Sequence, residues 1–197
     1  YSHGVRIFYL MLYNSRLGIL TEKEVHYLNI FTAKYLKKKY KDIIFIGAEK
    51  FEGSAEETVD RIKKLKDSGV DVFSVILGEK YYNDKQVYSH FKFINDNSKL
   101  PLLLHLQKMM SGFTSKAPVI NYSIELTKKI CKLSKFIAIK EDAKDLKFTK
   151  KLIKDIDNKA TIIRSGGGMS VWKNFNKIGC QSWLVGIELL DPRISFD

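Results

Sequence analysis

The sequence predicts an α/β protein built on a parallel sheet covered by helices, with a (β/α)8 barrel as the leading architecture and a doubly wound sheet as the alternative. Three observations predict it. Short apolar runs rich in Val, Ile and Phe alternate with longer segments whose apolar residues fall at helical spacing. The short runs are apolar on nearly every residue, as strands buried on both faces require. Seven such runs are separated by six helical patterns, the repeat expected of consecutive βα units.

The first strand is expected over residues 5–12, and the helix at 22–38 opens on Thr21-Glu22-Lys23-Glu24, which has capping-box spacing. A strand at 43–48 leads to a helix at 55–68, opened by a second capping box, Ser54-Ala55-Glu56-Glu57, and followed by Gly69 at a C-cap position. Next come a strand at 72–77, a helix at 85–95, a strand at 102–106 and a helix at 124–133. The last three strands are expected at 136–140, 161–164 and 182–187. Helices at 146–156 and 171–178 separate them, the second closed by Gly179. Seven strands leave a barrel unclosed, because strand number and shear must agree. Residues 1–197 are therefore read as one barrel domain truncated at both ends, with a strand and helix expected before Tyr1 and at least one helix after Asp197.

Composition sets the class. With 45% apolar residues, the 197-residue chain is long enough for one good core and has no disordered tract. The net charge of +12, from 34 Lys and Arg against 22 Asp and Glu, is spread over polar helix faces such as Lys34, Lys37, Lys38 and Lys41. No aromatic-interleaved basic motif accompanies it, so neither nucleic acid nor membrane is predicted as a partner. Cys131 and Cys180 are far apart and show no metal-ligand spacing, which argues against a disulfide framework or zinc site and fits a reducing cytoplasm. No apolar run reaches membrane-spanning length, and no signal-peptide pattern opens the chain.

The chemistry-bearing stretch is Phe136-Ile137-Ala138-Ile139-Lys140-Glu141-Asp142, which sets a lysine at the C-terminal end of a buried strand. Burial disfavours an ammonium, and a neutral amine attacks carbonyls. The structural reading of the same lysine is an amine that snorkels to solvent or pairs with Glu141 or Asp142. In a barrel the active site is assembled where strands end, and Lys140, His105, Glu49 and Ser165 all fall at such ends. Consecutive residues on a strand point to opposite faces, so Glu141 and Asp142 do not form an acid–base pair; they tune Lys140 or, with Asp145, cap the next helix. Ser165-Gly166-Gly167-Gly168 follows a strand and precedes a helix, a pattern that suits an anion-binding nest or a tight turn. No metal site is predicted.

These segments, taken in order, resemble the dihydrodipicolinate synthase and N-acetylneuraminate lyase family of pyruvate-dependent class I aldolases. The resemblance runs from Gly4-Val5-Arg6-Ile7-Phe8 and Leu20-Thr21-Glu22-Lys23-Glu24 through Val87-Tyr88-Ser89-His90-Phe91 and Pro101-Leu102-Leu103-Leu104. It continues through Ile137-Ala138-Ile139-Lys140-Glu141, Ser165-Gly166 and Gly179-Cys180 to Asp191-Pro192-Arg193. It implies a lyase in which Lys140 attacks the keto carbon of pyruvate or another 2-oxo acid, giving an imine whose enamine adds to an aldehyde. The only cofactor implied is that covalent imine, and a homotetramer is the implied assembly. The departures are local. Leu12-Tyr13-Asn14-Ser15-Arg16 stands where the family has a Gly-Thr-Thr-Gly-Glu loop, so Asn14 and Ser15 become the candidate carboxylate contacts, with Gly166 and Leu184 beside them. His105 replaces the family's proton-relay tyrosine, and a histidine moves protons near neutral pH. The segment from Leu106 to Phe113 reads as an extra loop, and Tyr81 and Tyr82 lie near the place of the tyrosine donated between subunits. The competing reading is a ligand-binding or non-catalytic barrel that holds a carboxylate or phosphate without imine chemistry.

Overall fold

Seven parallel strands pair in the order in which the chain reaches them, which separates the two architectures offered by the sequence. The computed structural model describes residues 4–10, 17–48, 50, 53–78, 80–112, 119–142, 145–166 and 168–184. Its sheet runs β1 (Ile7–Tyr9), β2 (Ile44–Ala48), β3 (Val72–Val75), β4 (Leu102–Leu106), β7 (Phe136–Glu141), β8 (Thr161–Ser165) and β9 (Ser182–Leu184). All six pairings are parallel. A doubly wound sheet reverses its strand order once and so carries helices on both faces. Here the order never reverses, and right-handed crossovers taken in one direction put every helix on one face. The other face curls inward as the lining of an incomplete (β/α)8 barrel.

The helices are α1 (Glu22–Lys39), α2 (Ala55–Leu65), α3 (Asp84–Asn97), α4 (Ile124–Cys131), α5 (Leu146–Ile156) and α6 (Met169–Lys177). Both expected capping boxes form: Thr21 caps α1 with Glu24 reaching back, and Ser54 caps α2 with Glu57. Asp145 caps α5 by accepting from the Lys147 and Phe148 amides, one of the two roles expected of the acidic run after Lys140. Gly179, at φ +101°, closes α6: its N–H donates to Asn176 O at 2.9 Å, and the Cys180 N–H donates to Phe175 O at 3.1 Å. That pair of bonds is a Schellman motif.

The sheet separates two apolar layers. Phe45, Phe73, Leu102, Leu104, Phe136, Ile139 and Ile162 face the helices and pack with Val59, Ile62, Phe91 and Ile130. Ile46, Val72, Leu103, Ala138 and Ile163 form the inner cluster, with Tyr9 and Leu184 packed against it. The alternation is the period of two that a pleated ribbon imposes, broken in β7 by the register shift that pairs Phe136 with Leu102 and Ala138 with Leu103. Asn29 ties α1 to β2 from inside the helical layer: its amide donates to Ala48 O at 2.8 Å and its oxygen accepts from the Ala48 N–H at 3.1 Å. Both cysteines are buried and free, and burial pushes the Cys131 thiol up to about 12 and the Cys180 thiol up to about 11. Among the described residues no helix is long and apolar enough to cross a membrane.

Two sequence expectations change. The stretch after His105, read as a loop, contains an antiparallel hairpin, β5 (Met109–Met110) with β6 (Val119–Ile120). Two-residue strands are too short for periodicity to reveal. The last helix starts at Met169, two residues earlier than expected, with Gly168 as its N-cap.

His90, in α3, gives the fold a pH dependence. Its Nε2 is buried without a hydrogen-bond partner, its ring meets Phe91 edge-on at 5.2 Å, and burial pushes its pKa down to about 4 against the opposing charge of Glu56. The unfolded state therefore binds the extra proton first, and stability is lost as pH falls from the ordinary histidine value near 6.5 towards 4. The loss amounts to at most about 3 kcal/mol. Chemical denaturation at pH 7 and pH 4 should show a smaller pH difference in His90→Phe than in the wild type; an equal difference would assign the acid sensitivity to other groups.

Candidate active site

Lys140 and His105 meet because strand register puts them opposite one another. In the parallel β4–β7 pair, His105 is the register partner of Lys140, so both side chains leave the sheet on the inner face near the C-terminal strand ends. A register irregularity at Leu102/Leu103 keeps Ala138 opposite Leu103 below them. Lys140 is 5% and His105 2% exposed. Asp142, two residues beyond Lys140, returns to the same face, and its side chain is 20% exposed at the mouth.

The three side chains converge on one oxygen. Lys140 Nζ lies 2.8 Å from His105 Nε2. His105 Nε2 lies 2.6 Å from Asp142 Oδ2, and Lys140 Nζ donates to that same oxygen. Burial would raise the Asp142 pKa, but the hydrogen bond to His105 and the Lys140 charge outweigh it and hold the carboxyl well below its usual range. His105 is pushed down, chiefly by burial and also by the Lys140 charge, against the pull of Asp142. The resting imidazole is thus neutral beside a carboxylate. Its Nε2 donates to Asp142 or accepts from Lys140, never both at once, so a proton moving between the two arrangements exchanges its role.

Tyr9 on β1 and Ser74 on β3 meet on the same inner face, with 2.8 Å between their hydroxyl oxygens. Burial pushes the Tyr9 hydroxyl far above its ordinary pKa and the Asp142 charge adds to that, while the Ser74 hydrogen bond opposes it. Neither residue was singled out from sequence. The period-two alternation of their runs was the available signal, since it turns Tyr9 and Ser74 to the same side as Ile46 and Val72.

Glu141 points away from this cluster. It is fully buried on the helix side, opposite Arg164 in register, with 4.0 Å between Arg164 Nε and Glu141 Oε2. The Arg164 guanidinium also sits 4.4 Å from the Phe175 ring centre. Gly166, at φ +65°, and Leu184 are brought together: the Gly166 N–H donates to Leu184 O at 3.0 Å, and Trp183 Nε1–H donates to Gly166 O at 3.2 Å. Asn14, Ser15, Glu49, Phe113 and Gly167 lie outside the described residues, as does 191–193. Met109 is buried and Met110 half exposed. Among the described residues no group of three or more His, Cys, Asp or Glu could hold a metal ion.

No family model matches the chain. The 4-hydroxy-tetrahydrodipicolinate synthase of Methanosphaera stadtmanae is 31% identical over 96 residues, covering 47% of this chain and 29% of that protein. The enzyme of the same name from Clostridium novyi is 28% identical over 125 residues, 62% of this chain and 38% of that protein. Among solved structures, dihydrodipicolinate synthase from Oceanobacillus iheyensis superposes with a TM-score of 0.80 at 15% identity, over 99% of this chain and 60% of that one. The chloride-inhibited enzyme from Acinetobacter baumannii, complexed with pyruvate, gives 0.78 at 18% identity, over 99% and 63%. The chain has the fold of the dihydrodipicolinate synthases and is similar to them in sequence over part of its length. It spans about three fifths of the solved dihydrodipicolinate synthase chains it matches.

The segment after β3 is stitched to the β5–β6 hairpin. The Tyr81 N–H donates to Met110 O and the Gly112 N–H to Tyr81 O, each at 2.7 Å. A Cβ on Gly112 would fall 2.4 Å from the Tyr82 ring, so the glycine lets that ring lie against the turn. Tyr81 donates its hydroxyl to Asp84 at 3.0 Å, while Tyr82 is 44% exposed.

Proposed function

We propose that the protein is a Schiff-base-forming lyase or aldolase acting on pyruvate or a related 2-oxo acid, with Lys140 as the nucleophile and His105 as the proton carrier. One observation carries the reading: a buried amine at the inner strand ends lies 2.8 Å from an imidazole nitrogen. In the forward step the Lys140 lone pair bonds to the keto carbon while the carbonyl electron pair moves to oxygen. The nitrogen gives up its two protons, the oxygen takes up two and leaves as water, and a C=N bond remains. His105 Nε2 is within reach of the nitrogen that loses those protons. The imine then acts as electron sink: the adjacent carbon loses a proton to give an enamine, which adds to an aldehyde, and the reverse sequence cleaves the carbon–carbon bond. The lysine itself serves in place of a separate cofactor, and no metal is invoked.

Asn14 and Ser15 are the proposed contacts for the substrate carboxylate, with Gly166 and Leu184 forming the neighbouring wall. Action in the cytoplasm and assembly with further copies, as a tetramer, belong to the same reading and follow the family. The test is borohydride reduction in the presence of pyruvate and a panel of other 2-oxo acids, read by intact mass. A covalent adduct with at least one acid supports the proposal. Thermal stabilisation by the acids with no adduct, in folded protein, would favour the binding barrel instead.

A further inference from the structure

Asp142 occupies a place that the imine reading leaves unassigned. It lies one residue beyond β7, its side chain reaches back over Lys140, and a single oxygen, Oδ2, contacts both Lys140 Nζ and His105 Nε2. We propose that Asp142 is a positioning residue that clamps Lys140 and His105 together at rest and sets the pH at which Lys140 becomes a nucleophile. The proposal rests on the imine reading for its catalytic meaning, but the clamp itself is a property of the three side chains.

An opposite charge in contact favours the charged form of its partner, and little water reaches this site to screen it. As long as Asp142 holds the amine, the lone pair needed for attack is tied up by a proton. Imine formation leaves the nitrogen with at most one N–H in place of three, so it loosens the clamp on that side, and Asp142 becomes the counter-charge of the iminium. The same oxygen then keeps His105 Nε2 beside the nitrogen where protons are exchanged. Tyr9 and Glu141 do not substitute for it. Tyr9, on β1, is a neutral hydroxyl held by Ser74 of β3, and Glu141 and Arg164 face each other on the far side of the sheet. His105 and Asp142 are both ionisable groups in direct contact with the Lys140 amine.

The decisive variants are Asp142→Asn, which removes the charge and keeps the shape, and Asp142→Glu, which keeps the charge. Asp142→Ser stands in if the amide variant does not fold. Each folded protein is treated with formaldehyde and cyanoborohydride over a range of pH, and methylation of Lys140 is followed by peptide mass spectrometry. The expected result is that Asp142→Asn is methylated at a pH lower by roughly one to three units than the wild type, with Asp142→Glu closer to the wild type. Superimposable profiles for wild type and Asp142→Asn would overturn the proposal. In parallel, the pyruvate adduct is expected to form more slowly in Asp142→Asn at each protein's own optimum, because His105 has lost its anchor. The methylation profile needs no 2-oxo acid, so a wild type that methylates as expected but traps no 2-oxo acid would count against the imine reading and not against the clamp.

Discussion

Lys140→Ala is expected to reduce borohydride-trapped 2-oxo acid adduct to background while leaving the protein folded. The alanine removes the amine that would supply the bonding electron pair, and no neighbouring group replaces it: His105 and Asp142 remain 2.6 Å apart but neither forms an imine. Retention of the fold is expected because a buried cation and its desolvation cost disappear together, and Asp142, one-fifth exposed, keeps His105 as partner. Lys140→Met, which keeps the side-chain volume, should behave alike. Circular dichroism and thermal melting check the fold, and intact mass checks the adduct. Adduct formation at the wild-type rate in folded Lys140→Ala would transfer the chemistry to another amine.

Phe91→Ala should cost about 3–5 kcal/mol, the range for deleting a fully buried aromatic side chain. Phe91 has no exposed surface and joins α3 to the sheet, with its ring edge-on to Phe136 at 5.8 Å and tilted against Tyr122 at 6.3 Å. Phe136 begins the strand that ends on Lys140 and Glu141, so the same packing fixes the height at which Lys140 meets His105. Against a total stability of about 5–15 kcal/mol the loss is severe. The melting temperature should fall by roughly 6–20 °C for a chain of this size. A change below about 1 kcal/mol would mean that the helical layer relaxes around the gap far more freely than its packing implies.

Much of the fold was legible in the chain because the signals were local. Ser54 and Thr21 announced helix starts through residues three positions away, Gly179 announced a helix end, and the apolar runs at 102–106 and 136–140 could be buried only as inner strands of a covered sheet. Strand order was not local. It followed from pairings such as Ala138 with Leu103 and Ile163 with Lys140, which no short window contains. The site divides along the same line. Lys140 and His105 were found as polar residues at the ends of apolar runs, and the alternation along β7 already turned Glu141 away from Lys140. That Asp142 would bridge both residues depends on how the chain leaves the strand, and that Tyr9 would reach Ser74 depends on two strands separated by β2. Glu141 with Arg164 is a further case: each looks like a free charge in the sequence, and only the β7–β8 register makes them a facing pair.

The measurement that bears most directly on the central claim is to locate the trapped adduct. The protein is reduced with borohydride in the presence of pyruvate, digested, and sequenced by tandem mass spectrometry across residues 136–142. The imine account predicts a reduced pyruvyl group on Lys140 that is absent when borohydride is added without the acid. A folded protein that forms no adduct with pyruvate or any other 2-oxo acid tested, or forms one only on surface lysines such as Lys34 and Lys38, would contradict it.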